Sequence, residues 1–325
     1  MSKAVAAATS AVLLLTPHLM AGLLSVPKDY TPKKSWPVIV SIQDNPSTEQ
    51  MATVPYFLVH AGGKAAELTT KIRTYLKNLA ARYNIDPLRI YGTGFSRGGH
   101  ELLAQAWQHP HWFAAIAPVC NDLRGEPKVL NVKYLNLTPT LLLHGKGDSF
   151  LRTGKVVFEH MKQAGCNVQF QTYDGGHSPK LPFKENVKLL TDFFDKHKLD
   201  PFPKTVVHLV SHKRYSRAFW INARLTKDAG GQKAVVKVAA RKGNRIEIDA
   251  TAEIAAVDLY LNDKLVDPAK PVTITAGDRQ LYKGPVSAKL TVTLKEGPAF
   301  GRRDARPLWE EMLEARAKAK AAAKK

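Results

Sequence analysis

Up to about residue 200, short apolar runs alternate with segments of helical period. Residues 37–42 (Pro-Val-Ile-Val-Ser-Ile) and 54–60 (Val-Pro-Tyr-Phe-Leu-Val-His) read as core strands. Between residues 64 and 83 the apolar positions Ala66, Leu68, Ile72, Tyr75, Leu76, Leu79 and Ala80 recur at helical spacing, which predicts a crossover helix. The pattern then predicts strands over 88–90, 113–119, 139–143 and 168–173, and helices over 101–107, 155–164 and 186–196. Strands that alternate with helices imply a doubly wound, mostly parallel sheet covered on both faces.

The texture changes near Leu199-Asp200-Pro201-Phe202-Pro203-Lys204, where two prolines soon after a helix mark a linker. Beyond it, β-branched runs at 206–210, 218–225, 234–239, 245–248, 257–261, 272–276 and 289–294 follow one another without helices between them. Short strands at regular spacing predict a small antiparallel, sandwich-like β domain. Its aromatics Tyr215, Phe219, Trp220 and Tyr282 read either as a docking surface for a polymer or, more simply, as packing. Residues 308–325 are rich in Ala, Glu, Lys and Arg. Glu310, Glu311 and Glu314 stand at the start and cations at the end, which suits a helix dipole. The expected organisation is therefore a lead-in over 1–20, an α/β domain over 21–200, a β domain over 204–300 and a basic helical tail over 304–325.

At 325 residues and 44% hydrophobic content, the chain can build a sizeable core. A net charge of +20 favours anionic surfaces, but no nucleic-acid-binding module accompanies it, so solvated surface charge is the simpler reading. The two cysteines, Cys120 and Cys166, exclude a disulfide-rich scaffold and a cysteine-based zinc site. They read as small buried hydrophobes, with a single bridge as the alternative. Met1-Ser2-Lys3 followed by an apolar stretch resembles an export leader interrupted by Pro17 and His18. A secreted or periplasmic location is expected, with a cytoplasmic one as the alternative. Nothing in the sequence calls for a metal or an organic cofactor.

The candidate chemistry lies between the strand at 88–90 and the helix at 101–107. There Tyr91-Gly92-Thr93-Gly94-Phe95-Ser96-Arg97-Gly98-Gly99-His100 places a serine in a G-x-S-x-G turn. Small neighbours let such a serine occupy a strained strand-to-helix turn. The following helix aims its positive end at the position an oxyanion would occupy. Downstream, Leu141-Leu142-Leu143-His144-Gly145-Lys146-Gly147-Asp148 and Tyr173-Asp174-Gly175-Gly176-His177 bring a carboxylate and an imidazole to strand ends. The order Ser96, Asp148, His177 is that of a nucleophile–acid–base set on an open α/β sheet.

On these motifs, together with Val26-Pro27-Lys28-Asp29-Tyr30, Tyr83-Asn84-Ile85-Asp86-Pro87 and Phe113-Ala114-Ala115-Ile116-Ala117-Pro118-Val119-Cys120, residues 21–200 resemble an α/β-hydrolase. The resemblance is to the esterase branch that includes polyhydroxyalkanoate depolymerases, feruloyl esterases and prolyl-oligopeptidase-like hydrolases. It implies that Ser96 attacks an ester carbonyl, His177 shuttles the proton and Asp148 orients His177. Asp174, so close to His177 in sequence, is the rival for the acid. The amide of Arg97 is the expected first oxyanion donor. The branch takes its second donor from a His-Gly loop after the first core strand, whereas this chain has Ser41-Ile42-Gln43-Asp44-Asn45-Pro46. A backbone amide from Asp44 or Asn45 is the substitute, at the disadvantage of a nearby carboxylate, and loss of one donor costs about 10²–10³ in rate.

The Arg97 side chain reads as a solvated helix-start residue or as a contact for an acidic substrate, and His100, His109, His111 and His144 read as structural or surface residues. The expected activity is carboxylic ester hydrolysis, of small or of plant-polymer or polyester type. The alternatives are a serine peptidase of the same fold and a weakened hydrolase that acts as a binding protein.

Overall fold

The computed structural model describes residues 24–42, 54–63, 65–123, 130–178, 187–226, 234–301 and 306–323. The expected leader over 1–20, and Asp44 with its neighbours Gln43 and Asn45, lie outside the described residues. None of the described helices is long and apolar enough to cross a membrane.

The first part of the chain builds a seven-stranded sheet from β1 (Leu24–Ser25), β2 (Trp36–Ile42), β3 (Phe57–Ala61), β4 (Ile85–Phe95), β5 (Ala115–Val119), β6 (Thr140–Gly145) and β7 (Val168–Tyr173). The order is β1-β3-β2-β4-β5-β6-β7, and every pair except β1–β3 is parallel. Helices α1 (Ala65–Arg82), α2 (Arg97–Gln108), α3 (Leu151–Gln163) and α4 (Val187–Phe194) connect and cover it. The two-residue period of a strand divides the core cleanly. Val38, Val40, Phe57, Val59, Ile90, Ile116 and Leu142 pack with Leu68, Leu76, Leu102 and Val157 of α1, α2 and α3. Their neighbours Ile39, Leu58, Tyr91, Ala115, Ala117, Leu141 and Leu143 face the other way, towards Leu190, Phe193 and Phe194 of α4.

Two boundaries depart from the periodicity, each for a local reason. β4 begins at Ile85 and breaks register between its pairings with Trp36 and Val38, where Pro87 has no amide to give the ladder. α3 begins at Leu151 rather than near 155, because the Asp148 carboxylate accepts the Phe150 amide (3.0 Å) and the Asp148 carbonyl accepts the Leu151 amide (3.0 Å).

Past residue 204 two further sheets form from β8 (Thr205–Val210), β9 (Arg217–Ala218), β10 (Ile221–Leu225), β11 (Ala234–Arg241), β12 (Arg245–Ala250), β13 (Ile254–Leu259), β14 (Val272–Ala276), β15 (Arg279–Gly284) and β16 (Leu290–Thr293). Their orders are β16-β13-β10-β9 and β15-β14-β12-β11-β8. The expectation of purely antiparallel pairing is corrected, since β12 and β14 run parallel. The single run expected over 218–225 is broken by Phe219 at φ 49°, and β15 had no expectation because its alternation is weak. Phe219 and Trp220 are buried, which removes both from any docking surface, and the Trp220 indole donates to the Pro203 carbonyl at 2.7 Å. Cys120 and Cys166 are both buried and unbridged.

The final helix, α5 (Leu308–Ala322), is not a free tail. Leu308 and Met312 complete the core beneath α1, and Trp309 packs into the other apolar cluster. Buried Glu311 takes both ends of the Arg73 guanidinium, with Nε at 2.6 Å, and Arg316 donates to the carbonyls of Ala80 and Ile85. An apolar patch and a charge pair that sit on one face of a short, polar helix leave little trace in its overall composition.

Histidines are sealed where the later sheets meet α2 and α5. His208 on β8 donates through Nε2 to the Tyr215 carbonyl at 2.6 Å, and burial pushes its pKa down to about 4. Burial likewise holds His111 well below its ordinary value. A neutral buried histidine stabilises the fold fully only above the unfolded pKa of about 6.5. As pH falls from there towards 4, the unfolded chain binds a proton that the native chain refuses. Between pH 7 and 5 His208 should therefore remove about 2 kcal/mol of stability. Denaturant melts at the two pH values should show that loss in the native protein and a smaller one in His208→Gln, whose amide still donates to Tyr215.

Candidate active site

β4 ends at Phe95, and Ser96 follows with φ 52° and ψ −116°, a sparsely populated conformation for a non-glycine residue. The turn is tight because Gly94 and Gly98 touch: a Cβ on Gly94 would lie 2.5 Å from the Gly98 carbonyl carbon. Core contacts supply what holds this strain. The Ser96 amide donates to the Val119 carbonyl of β5 at 2.8 Å, and its carbonyl accepts from the His100 amide at 3.1 Å. α2 starts at Arg97, whose amide heads the helix with no acceptor inside it.

The three residues singled out by sequence converge, although they lie on different strand ends. His177 Nε2 is 2.9 Å from Ser96 Oγ, and His177 Nδ1 is 2.8 Å from Asp148 Oδ1. The loops after β6 and β7 are laced together to make this possible. The Lys146 amide donates to the Tyr173 carbonyl at 2.9 Å and the Gly147 amide to the Gly175 carbonyl at 2.8 Å. Phe95 and Phe150 flank the His177 ring at centroid distances of 4.7 and 5.1 Å. The His177 side chain remains 30% exposed and Ser96 half-buried, so the serine face opens to solvent while the carboxylate end is sealed.

Asp148 has four donors. Burial alone would raise its pKa, but the Phe150 amide, the Cys120 thiol, His177 and His144 together hold it below the ordinary carboxylate value. It is ionised at neutral pH and can only accept. Asp174, the rival in sequence, points outward and pairs with Lys146 at 2.5 Å, with a side chain 90% exposed. Geometry therefore separates the two carboxylates. Arg97 is exposed, its Nε 4.0 Å from Glu101, and Asp44 cannot be placed because it lies outside the described residues.

Two neighbours of Asp148, His144 and Cys120, escaped the sequence reading. His144, at the end of β6, is fully buried and its Nδ1 lies 2.7 Å from Asp148 Oδ2, while its Nε2 lies 3.1 Å from Asn121 Nδ2. Cys120, at φ 47° on the end of β5, places its thiol 3.0 Å from the Tyr173 hydroxyl. Only the four-residue spacing from His144 to Asp148 could have hinted at this. Cys120 Sγ, an Asp148 oxygen and a His177 nitrogen lie within 4.8 Å of one another, a spacing some metals accept. Burial raises the Cys120 thiol to about 11, so it is protonated and donates, and the set works as a hydrogen-bond network.

Comparison with known proteins agrees in kind and is limited in reach. No family model matches the chain. An esterase candidate of Nocardia uniformis subsp. tsuyamanensis, NocK, is 34% identical over 76 residues, 23% of this chain and 22% of that protein. The chain thus aligns with under a quarter of that curated relative. Similar solved structures include a thermostable esterase (22% identity, TM-score 0.42, 54% of this chain and 58% of that one). A ferulic acid esterase is similar at 17% identity and TM-score 0.42, over 51% of this chain and 87% of that one. Dipeptidyl peptidase 4 of Porphyromonas gingivalis is similar at 16% identity and TM-score 0.43, over 54% of this chain and 33% of that one. These are likenesses of part of the chain to hydrolases. Every TM-score quoted is below one half, and the functional reading below rests on the side chains.

The close approach of Gly94 to Gly98 is testable by stability alone. Gly94→Ala should lower stability by about 1–3 kcal/mol or more, the range of overpacking against backbone atoms. Chemical denaturation of the two proteins measures it, and a near-neutral substitution would mean the turn is looser than described.

Proposed function

We propose that the chain is a serine hydrolase of carboxylic esters, working through Ser96, His177 and Asp148 by way of an acyl-enzyme. The observation that carries this is the unbroken run from Ser96 Oγ to His177 Nε2 (2.9 Å) and from His177 Nδ1 to Asp148 Oδ1 (2.8 Å). With Asp148 ionised, His177 Nδ1 must carry a proton, so Nε2 is the free base facing the hydroxyl. As Ser96 Oγ bonds to the carbonyl carbon, its proton passes to His177 Nε2, and Asp148 stabilises the imidazolium. The carbonyl oxygen becomes an oxyanion, for which the Arg97 amide at the positive end of α2 is the first donor. His177 then protonates the departing alcohol. Water, activated by the same nitrogen, releases the acid and restores Ser96.

The half-exposed serine face fits an accessible ester, either small or displayed on a polymer. The buried Phe219 and Trp220 favour a packing role for the later sheets, read here as an accessory sandwich-like domain. The net charge of +20 and the exposed Lys318 and Lys320 on α5 support attraction to anionic surfaces. Export through the first twenty residues remains part of this proposal.

Native protein should take a fluorophosphonate label at Ser96 and hydrolyse short nitrophenyl esters. Ser96→Ala should abolish labelling and cut turnover by roughly 10³–10⁶-fold, and Asp148→Asn should cost about 10⁴-fold through the wrong His177 tautomer. Asp174→Asn should stay within about threefold of native, because an exposed pair contributes little. Turnover of peptide anilides in preference to esters would move the assignment to a peptidase. Folded native protein that takes no label would overturn the hydrolase reading in favour of a binding protein. Because α5 is docked through Trp309 and Glu311, the surface-charge proposal is best tested by Lys318→Gln with Lys320→Gln rather than by deletion. Retention on heparin should then weaken and elute at lower salt.

A further inference from the structure

We propose that His144 is a positioning residue for this site: it holds the second oxygen of Asp148 and so sets the orientation of His177. The inference rests on the hydrolase reading above and extends it by one layer of side chains. His144 is fully buried at the end of β6, with Nδ1 2.7 Å from Asp148 Oδ2. The carboxylate can only accept, so His144 Nδ1 carries the hydrogen. Burial lowers the pKa of His144 despite the neighbouring carboxylate, so the ring is neutral and Nε2 is a lone-pair acceptor. The group facing Nε2 at 3.1 Å is the Asn121 amide nitrogen, a donor, as this tautomer requires. Donors therefore run inward from both sides, Asn121 to His144 to Asp148 Oδ2, and Ser96 to His177 to Asp148 Oδ1.

The place is built for this ring. Gly154 on the first turns of α3 leaves the space it fills, since a Cβ there would collide with the imidazole. Phe170 stacks on it at 5.7 Å and 14°. Rotation is blocked on both sides, so Oδ2 is pinned and Oδ1 keeps its line to His177. The other groups facing Asp148 are the Phe150 amide, the Cys120 thiol and His177. Of these, the Phe150 amide and His177 both address Oδ1, so neither replaces the His144 donor at Oδ2.

Two variants separate positioning from mere filling of space. His144→Leu removes the N–H, whereas His144→Asn restores an amide donor near the position of Nδ1. In His144→Leu, kcat should fall about 10–100-fold with KM within about twofold, the size of effect seen when a metal ligand loses its outer partner. In His144→Asn, kcat should recover to within about fivefold of native. With the His144 donor removed from Asp148, the acid limb of kcat/KM should move to higher pH in Leu and back in Asn.

Nitrogen-15 NMR of native protein gives a readout independent of turnover and of the variants' folding. His144 should show a neutral Nδ1–H ring at pH 7 and above, with its Nε2 unprotonated. A His144 ring that is doubly protonated at pH 7, or that carries its proton on Nε2, would overturn the proposal. So would folded Leu and Asn variants with equal kcat and an unmoved acid limb. Absence of fluorophosphonate labelling in native protein would count against the hydrolase reading alone. The tautomer of His144 in the native protein would still decide this proposal by itself.

Discussion

A carboxylate deprived of water must be given donors, and Asp148 is where this chain meets that requirement. Burying the charge alone would neutralise it. Its surroundings are arranged to prevent that: the Phe150 amide opens α3, the Cys120 thiol comes from the end of β5, His144 from the end of β6 and His177 from the loop after β7. One side chain thus ties together adjacent strand ends and the start of a helix. The same tie gives His177 its tautomer, so the structural demand and the chemical one are met by the same bonds.

Around that point the parallel sheet does the aiming. Strands that run in one direction bring their carboxyl ends to one edge, and loops there can hold side chains from distant parts of the sequence within 3 Å of one another. The period-two alternation between the two apolar clusters keeps that edge level. The strain stored at Ser96, about 1–3 kcal/mol, is tolerable because β4, β5 and α2 are locked by core contacts on both faces.

The later sheets and α5 add burial more than chemistry. The apolar cluster behind α4 continues into the residues around Trp220 and Trp309, and α5 closes the outer face of α1 through Leu308, Met312 and the Glu311–Arg73 pair. Sealed histidines at that seam make its stability depend on pH, while the site itself lies elsewhere on the molecule.

What the sequence determined by itself was whatever depends on local pattern. Alternation and helical period marked the α/β part, and the G-x-S-x-G turn needed no tertiary information, because small neighbours of a strained serine are a local steric requirement. The order Ser96, Asp148, His177 was legible because each residue closes a strand-like run. Tertiary structure decided what depends on direction and distance. Strand-end placement favoured Asp148 while Asp174 stayed a rival on paper, and only folding turns one inward among donors and the other outward to Lys146. His144 read as a structural or surface residue until folding placed its ring on the far oxygen of Asp148. The helix over 308–322 read as a charged tail because its composition is polar, and only the surface of α1 reveals that its first turns carry a buried face. Side-chain facing and cross-strand pairing are properties of the assembled sheet, and no window of sequence contains them.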